Sequence, residues 1–489
     1  MTVETGLTQT RVIIVGAGFA GLGLGIKLKE SGLHDFVILE KSDSVGGVWR
    51  ANRYPGAACD IPSHLYSYSF EQSADWPDRY ARQPDILDYL RQCAWKHGLE
   101  SHIRLGVAVT DARWDEQSHY WLVQTSNGLV FKAQSLVAAA GQLSRPFTPQ
   151  LPGLATFRGT SFHSAEWKQG YDLSGKRVAV VGAGASAIQI IPAIAPLVDK
   201  LYVFQRSAAY VLPKPDRAYP EQRRRLFKRF PSLLKLDRAF IYLQHEMSAF
   251  AFVTWRAALR VKRRSFFRNL ERGIEDPDLR RRLTPDYRLG CKRILLSNDF
   301  YPAMQRANVE LVNEAIREIA PDGIVTADAA RRDIDCIIFA TGFTATDFLA
   351  PMQITGLRGQ DLRRSWHGEA AAYLGMTVAG FPNFFMLYGP NTNLAHNSIV
   401  YMIESQAHYI ATCIARLCRD DIRSLEIKKE IQDRFNARIQ KRLQRSNWSK
   451  GCTSWYLAPG GRNTANWPGY SFEFRMRTLA PNWNHYSVQ

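Results

Sequence analysis

The chain contains no C-x-x-C pair, and its seven cysteines, Cys59, Cys93, Cys291, Cys336, Cys413, Cys418 and Cys452, are scattered over 489 residues. That spacing excludes a disulfide-stapled scaffold and a dithiol relay, and it predicts a reduced, cytoplasmic chain. Long apolar runs are also missing. The most apolar stretch of the middle region, Ala239–Trp255, is broken by Gln244, His245 and Glu246, too short and too polar to span a bilayer. The first ten residues are polar and lead directly into a strand, so no secretory signal is expected. Histidines show no metal-ligand spacing, so no metal site is expected. No segment is low-complexity, and no solenoid repeat is visible.

Acidic residues are the scarcer charge, 45 Asp+Glu against 63 Lys+Arg, for a net +18. The surplus concentrates between Tyr219 and Arg288, which hold 18 Lys/Arg and 8 Asp/Glu. Such a cluster suits nucleic acid or anionic lipid. The runs 223–225, 262–264 and 280–282 nevertheless alternate with apolar residues at helical spacing, which a solvated helix face explains equally well. Length and a hydrophobic share of 46% support two or three domains with sizeable cores.

Two strand–glycine–helix units dominate what is present. The first runs from Arg11 through Gly16, Gly18 and Gly21 to a second strand ending at Glu40. The second runs from Arg177 through Gly182, Gly184, Ser186 and Ala187 to a strand followed by Arg206. Each starts as a short apolar run suited to a buried parallel strand. In each, the first glycine permits the tight turn and the second admits a pyrophosphate to the backbone. The third position, Gly21 or Ala187, lets helix pack on strand. The pyrophosphate then faces free N–H groups at the helix N-terminus.

The ends of the second strands tell the two ligands apart. Glu40 and Arg206 each lie 24 positions after the first glycine of their motif, yet carry opposite charges. A carboxylate accepts from a ribose diol and repels phosphate, whereas a guanidinium pairs with a 2′-phosphate. The first unit therefore reads as an FAD site and the second as an NADPH site. NADPH reduces flavin, and reduced flavin needs an acceptor. With no thiol relay and no haem or iron ligands, dioxygen is the leading one. The fold class expected is α/β, two Rossmann-like dinucleotide-binding domains with a helical insertion. The FAD domain is placed at 1–145 and 385–489, the NADP domain at 150–218 and 289–384, and the basic insertion at 219–288.

Between the motifs, Phe157, Gly159, His163 and Trp167 match F-x-G-x-x-x-H-x-x-x-W, and Gly46, Gly47, Trp49, Tyr54, Pro55, Gly56 and Asp60 match G-G-x-W-x-x-x-x-Y-P-G-x-x-x-D. In both respects the chain resembles the type I Baeyer–Villiger monooxygenases, over essentially its whole length. Lys168 stands where that family usually carries Pro or Asp. The sister N- and S-oxygenating flavin monooxygenases resemble the pattern too, with Tyr in place of Trp167.

The resemblance implies NADPH- and O2-dependent conversion of a ketone to an ester or lactone through a flavin C4a-peroxide. It further implies that Arg293 is catalytic and oriented by Asp60, and that Lys292 joins Arg206 on the 2′-phosphate. Trp49 and Tyr66 would pack at the flavin, Gln142 near the nicotinamide, and Trp455 on a loop over NADP. His163 reads either as a hinge between domains or as a structural histidine. The partners expected are a small-molecule ketone and O2, no nucleic acid, and a peripheral membrane contact through the basic insertion, in a monomer or small homo-oligomer. Two other readings stand beside this one: a heteroatom oxygenase, and a redox-sensing FAD protein docking on nucleic acid or membrane.

Overall fold

The computed structural model describes residues 7–253, 259–420, 422–449 and 454–489. Cys452 lies outside them. The first unit is β1 (Leu7–Val15), α1 (Phe19–Glu30) and β2 (Phe36–Glu40), followed by α2 (Gln83–Lys96) and the strands β3 (Ile103–Leu105), β4 (Val109–Asp115), β5 (Tyr120–Thr125) and β6 (Val130–Ala138). After β7 (Thr160–His163) comes the second unit, β8 (Arg177–Val181), α3 (Ala187–Ile194) and β9 (Lys200–Phe204). The basic segment forms α4 (Glu221–Arg229), α5 (Pro231–Val253) and α6 (Leu259–Gly273). The chain then returns through β10 (Val309–Val312), β11 (Cys336–Phe339), β12 (Gln353–Thr355) and β13 (Phe384–Met386). It closes with α7 (Ile399–Arg419), α8 (Lys429–Leu443) and α9 (Ser471–Arg477).

Two separate sheets result. The first runs β12-β4-β5-β6-β1-β2-β3, with β13 also paired to β6. The second runs β10-β9-β8-β11-β7 and is parallel throughout. Parallel strands are covered on both faces, which is why β2 and β11 bury every residue. Buried side chains point to nearly all sides of α1, because it is wedged between the first sheet and α7.

The turn after each unit's first strand obeys one constraint. Gly16 sits at φ +109°, and a Cβ there would lie 2.7 Å from the Ala139 carbonyl oxygen. Gly182 sits at φ +129°, and its Cβ would meet the Ala340 carbonyl. Ala139 and Ala340 follow β6 and β11, the strands adjoining β1 and β8. The same glycine geometry has thus been built twice.

Two expectations change. The chain rejoins the first sheet at Gln353–Thr355, which pairs with β4, ahead of the crossing expected near residue 385. This strand is three residues long and carries no periodicity of its own. Cysteine spacing does not report pairing either: Cys291 is disulfide-bonded, while Cys59, Cys93, Cys336, Cys413 and Cys418 are free, so the chain is not wholly reduced.

Candidate active site

At the flavin-type motif, Glu40 is buried and accepts from the backbone N–H of Ala17 at 2.8 Å and of Ser42 at 2.9 Å. The carboxylate therefore braces the glycine turn, and its remaining lone pairs are the ones a diol would reach. A Cβ on Gly18 would come within 3.4 Å of Gly47, and one on Gly47 within 3.1 Å of Gly18. Two backbones thus converge there, one from each motif. No side chain caps α1, so its first N–H groups stay open to an anion.

The second motif proves to be a docking surface between the two sheets' domains. Tyr54 Oη donates to Gln189 Oε1 at 3.0 Å, and Gln189 Nε2 donates to the Ala58 carbonyl at 3.0 Å. Gly56 lies so close to α3 that a Cβ would stand 2.6 Å from the Gln189 carbonyl oxygen. Four residues past Gly56, at the end of the same turn, is Asp60.

Arg293 meets Asp60 there, with Nε at 2.9 Å and Nη2 at 2.6 Å from the same Oδ2. Asp60 raises the guanidinium's proton affinity above its already high value, so Arg293 is a fixed cation. Tyr388 and Tyr456 lie within its electrostatic reach. Burial pushes the Tyr456 phenol up to about 12, and among the described residues its hydroxyl has no hydrogen-bond partner. Beside this cluster Trp49 Nε1 donates to Tyr66 Oη at 3.1 Å, and Tyr66 packs edge-on against Phe19 at the start of α1.

Gln142 Nε2 donates to the carbonyls of Tyr388 and Gly389 at 3.0 and 3.2 Å, while its buried Oε1 has no partner among the described residues. Tyr388 and Asn391 both adopt left-handed backbone conformations, φ 58° and 57°. Such strain marks a loop held in place by its surroundings. Trp455 is half-buried and contacts Tyr456 at 4.5 Å between ring centroids, which joins it to the same cluster.

At the second motif, Lys292 Nζ donates to Ser207 Oγ at 2.9 Å, next to exposed Arg206. Burial, and then the nearby Arg206 charge, lower the Lys292 pKa. Two cations held this close want an anion between them. Ser186 and Ala187 open α3, again with no side-chain cap.

The fingerprint residues stand apart from this chemistry. Gly159 packs where a Cβ would lie 2.5 Å from both the Phe157 ring and the Asp335 carbonyl. His163 is buried, its Nδ1 accepts from Ala165 N–H at 3.1 Å, and its ring meets Phe343 edge-on. Phe343 lies in the crossing 341–344, which pairs with the other crossing through Phe147 N–H to Gly342 O and Thr344 N–H to Arg145 O. Trp167 packs edge-on against Phe162, and Lys168 is exposed, where its charge is easily accommodated.

Sequence reasoning missed Tyr388, Tyr456, Gln189 and His396. Among the described residues the buried His396 ring has neither nitrogen partnered, and burial pushes its pKa down to about 3. Only the Gly389-Pro390-Asn391 turn hinted at this loop.

Two parallel nucleotide folds of opposite charge preference, joined at an arginine–carboxylate pair, define a two-nucleotide flavoprotein. The buried Glu40 carboxylate, the Gly18–Gly47 cradle and the uncapped α1 fit a flavin dinucleotide. The Flavin-binding monooxygenase-like family matches residues 9–353. A Baeyer–Villiger monooxygenase of Pseudomonas aeruginosa is 46% identical over 96% of this chain and 89% of its own length. Another, from Streptomyces coelicolor, is 43% identical over 98% and 93%. A cyclohexanone monooxygenase from Rhodococcus with NADP+ bound superposes with a TM-score of 0.89 at 31% identity, over 99% of this chain and 100% of its own. The chain belongs to the flavin-binding monooxygenase-like family, among its Baeyer–Villiger monooxygenases.

Proposed function

We propose that this protein oxidises a small-molecule ketone to an ester or lactone, using NADPH and O2 and holding FAD as its resident cofactor. Overall, NADPH, a proton, O2 and the ketone become NADP+, water and the ester. The Arg293–Asp60 pair carries this reading. When bound, FAD exchanges two electrons with NADPH and passes them to O2.

The protein's own residues do the rest. Arg293 keeps its charge at every working pH and offers several donors to oxygen that becomes anionic during the reaction. Asp60 fixes its orientation and tempers its field. Trp49 and Tyr66 form an apolar wall beside the pair, and low dielectric strengthens each donor while excluding water. Glu40, Gly16, Gly18, Gly21 and Gly47 hold FAD. Gly182, Gly184, Ser186, Ala187, Arg206 and Lys292 hold NADPH, with Gln142 and Trp455 at its nicotinamide end. His163, through Phe343, couples the two crossings. Contact of segment 219–288 with an anionic surface belongs to the same reading, supported by its clustered Lys and Arg.

Incubating the flavin-loaded protein with NADPH, labelled O2 and a ketone panel tests this. One labelled oxygen in an ester is expected. NADPH consumption that no ketone stimulates, with no labelled ester, would refute it.

A further inference from the structure

Helix α5 is apolar on two opposite faces, and among the described residues only one of them is covered. Its inner face is anchored firmly. Arg238 Nη1 donates to the carbonyls of His64 and Ser67 at 2.6 and 3.0 Å, and Asp237 Oδ2 lies 2.7 Å from His64 Nδ1. Asn397 Nδ2 donates to Glu246 Oε1 at 2.8 Å, and His245 Nδ1 pairs with the His396 carbonyl at 2.9 Å.

The outer face carries Leu233, Leu236, Phe240, Leu243 and Met247, exposed by 38, 66, 59, 56 and 68%. At 3.6 residues per turn these five fall within an arc of about 80°. Soluble proteins rarely leave such a stripe uncovered without a partner. Helix α9 meets α5 away from this stripe, where Ser471 Oγ contacts Tyr242 Oη at 3.2 Å and Ser471 N–H donates to Glu246.

The charge around the stripe selects the partner. The only acids of α5, Asp237 and Glu246, are both engaged inward. Lys235 and Arg229 are exposed at its start, and Arg260, Arg263 and Arg264 are exposed on the helix that follows. A second copy would set this positive surface against its like. Nucleic acid would accept the cations but offers nothing to five aliphatic and aromatic side chains. An anionic lipid surface takes both, in the manner of a helix lying in the interfacial plane.

We infer that the outer face of α5 is a docking face for an anionic lipid bilayer, with the apolar stripe entering the headgroup–acyl boundary and the neighbouring Lys and Arg on the headgroups. This deepens the membrane contact proposed above and stands whether or not the ketone chemistry does.

Flotation of the flavin-loaded full chain with vesicles of phosphatidylcholine alone, and with one third phosphatidylglycerol, tests it. Binding is expected on the anionic vesicles, weaker on the neutral ones, and reduced by salt. The pair Leu236→Glu and Leu243→Glu should lower the partition coefficient at least tenfold while NADPH oxidation with a water-soluble ketone stays unchanged. The inference is overturned if the doubly substituted protein floats as well as the parent, or if neither floats. It is equally overturned if the substitutions only convert a dimer to a monomer, or if the charge surplus binds DNA and not vesicles.

Discussion

Arg293 donates twice to a single oxygen of Asp60, although 233 residues separate them in sequence. The two reach each other because the Tyr54–Asp60 turn docks on α3 of the second unit, beside the segment that carries Arg293. Nη1 takes no part in the pair. The carboxylate therefore orients the guanidinium without consuming all of its donors. Arg293→Ala should lower kcat for ester formation by about 10²–10³-fold, the usual cost of one oxyanion donor, with flavin content unchanged. Asp60→Asn should lower it less, since an amide keeps one acceptor. Steady-state rates on one good ketone, with flavin absorbance as the control, check both.

The Arg206 and Lys292 cations lie where a 2′-phosphate would join them. Substituting either by Ala should reduce the preference for NADPH over NADH by about 10–100-fold in kcat/KM, as expected for one charge-assisted contact of roughly 1.5–3 kcal/mol. The rate with NADH should barely change. A general fall with both nucleotides would instead point to structural damage.

Gly16 and Gly182 are equivalent positions in different domains. Gly182→Ala should weaken NADPH binding and leave flavin bound, and Gly16→Ala should release flavin. Each forces a left-handed backbone and a carbonyl contact, at a cost of about 1–3 kcal/mol. Flavin retention after gel filtration, with NADP titration by fluorescence, separates the two.

Burial lowers the pKa of His396, His245 and His163 in the folded chain. Between a folded pKa of about 3 for His396 and the ordinary value of 6.5, the unfolded chain binds the proton and the folded chain does not. Stability should therefore rise with pH across that window and be fully present above 6.5. Urea midpoints should fall from pH 7.5 to pH 5, and His396→Gln should flatten that slope. An unchanged slope would exclude His396 as a contributor.

Much of this site was legible beforehand because its signals are local. A glycine three residues from a strand end, or opposite charges at matching offsets, survive in one dimension. The fingerprint was legible as well, but not its cause: Gly159 is required by Asp335, 176 positions later, and by the Phe157 ring. The outer face of α5 was left open between two readings for a related reason. Its basic neighbours suit an anionic partner and a solvated surface equally, and only the position of the inner face against His64 and Asn397 shows which apolar residues are left outside.

The sequence by itself determined two nucleotide folds, their opposite charge preferences and the residue types at the reacting centre, since backbone turns and strand ends are set by neighbours in the chain. Tertiary structure alone decided that Tyr54 and Gly56 rest on α3, that Asp60 reaches Arg293, and that Tyr388 and Tyr456 stand beside them. Contacts between distant segments arise from packing and shared burial, and neither leaves a period or a spacing to read.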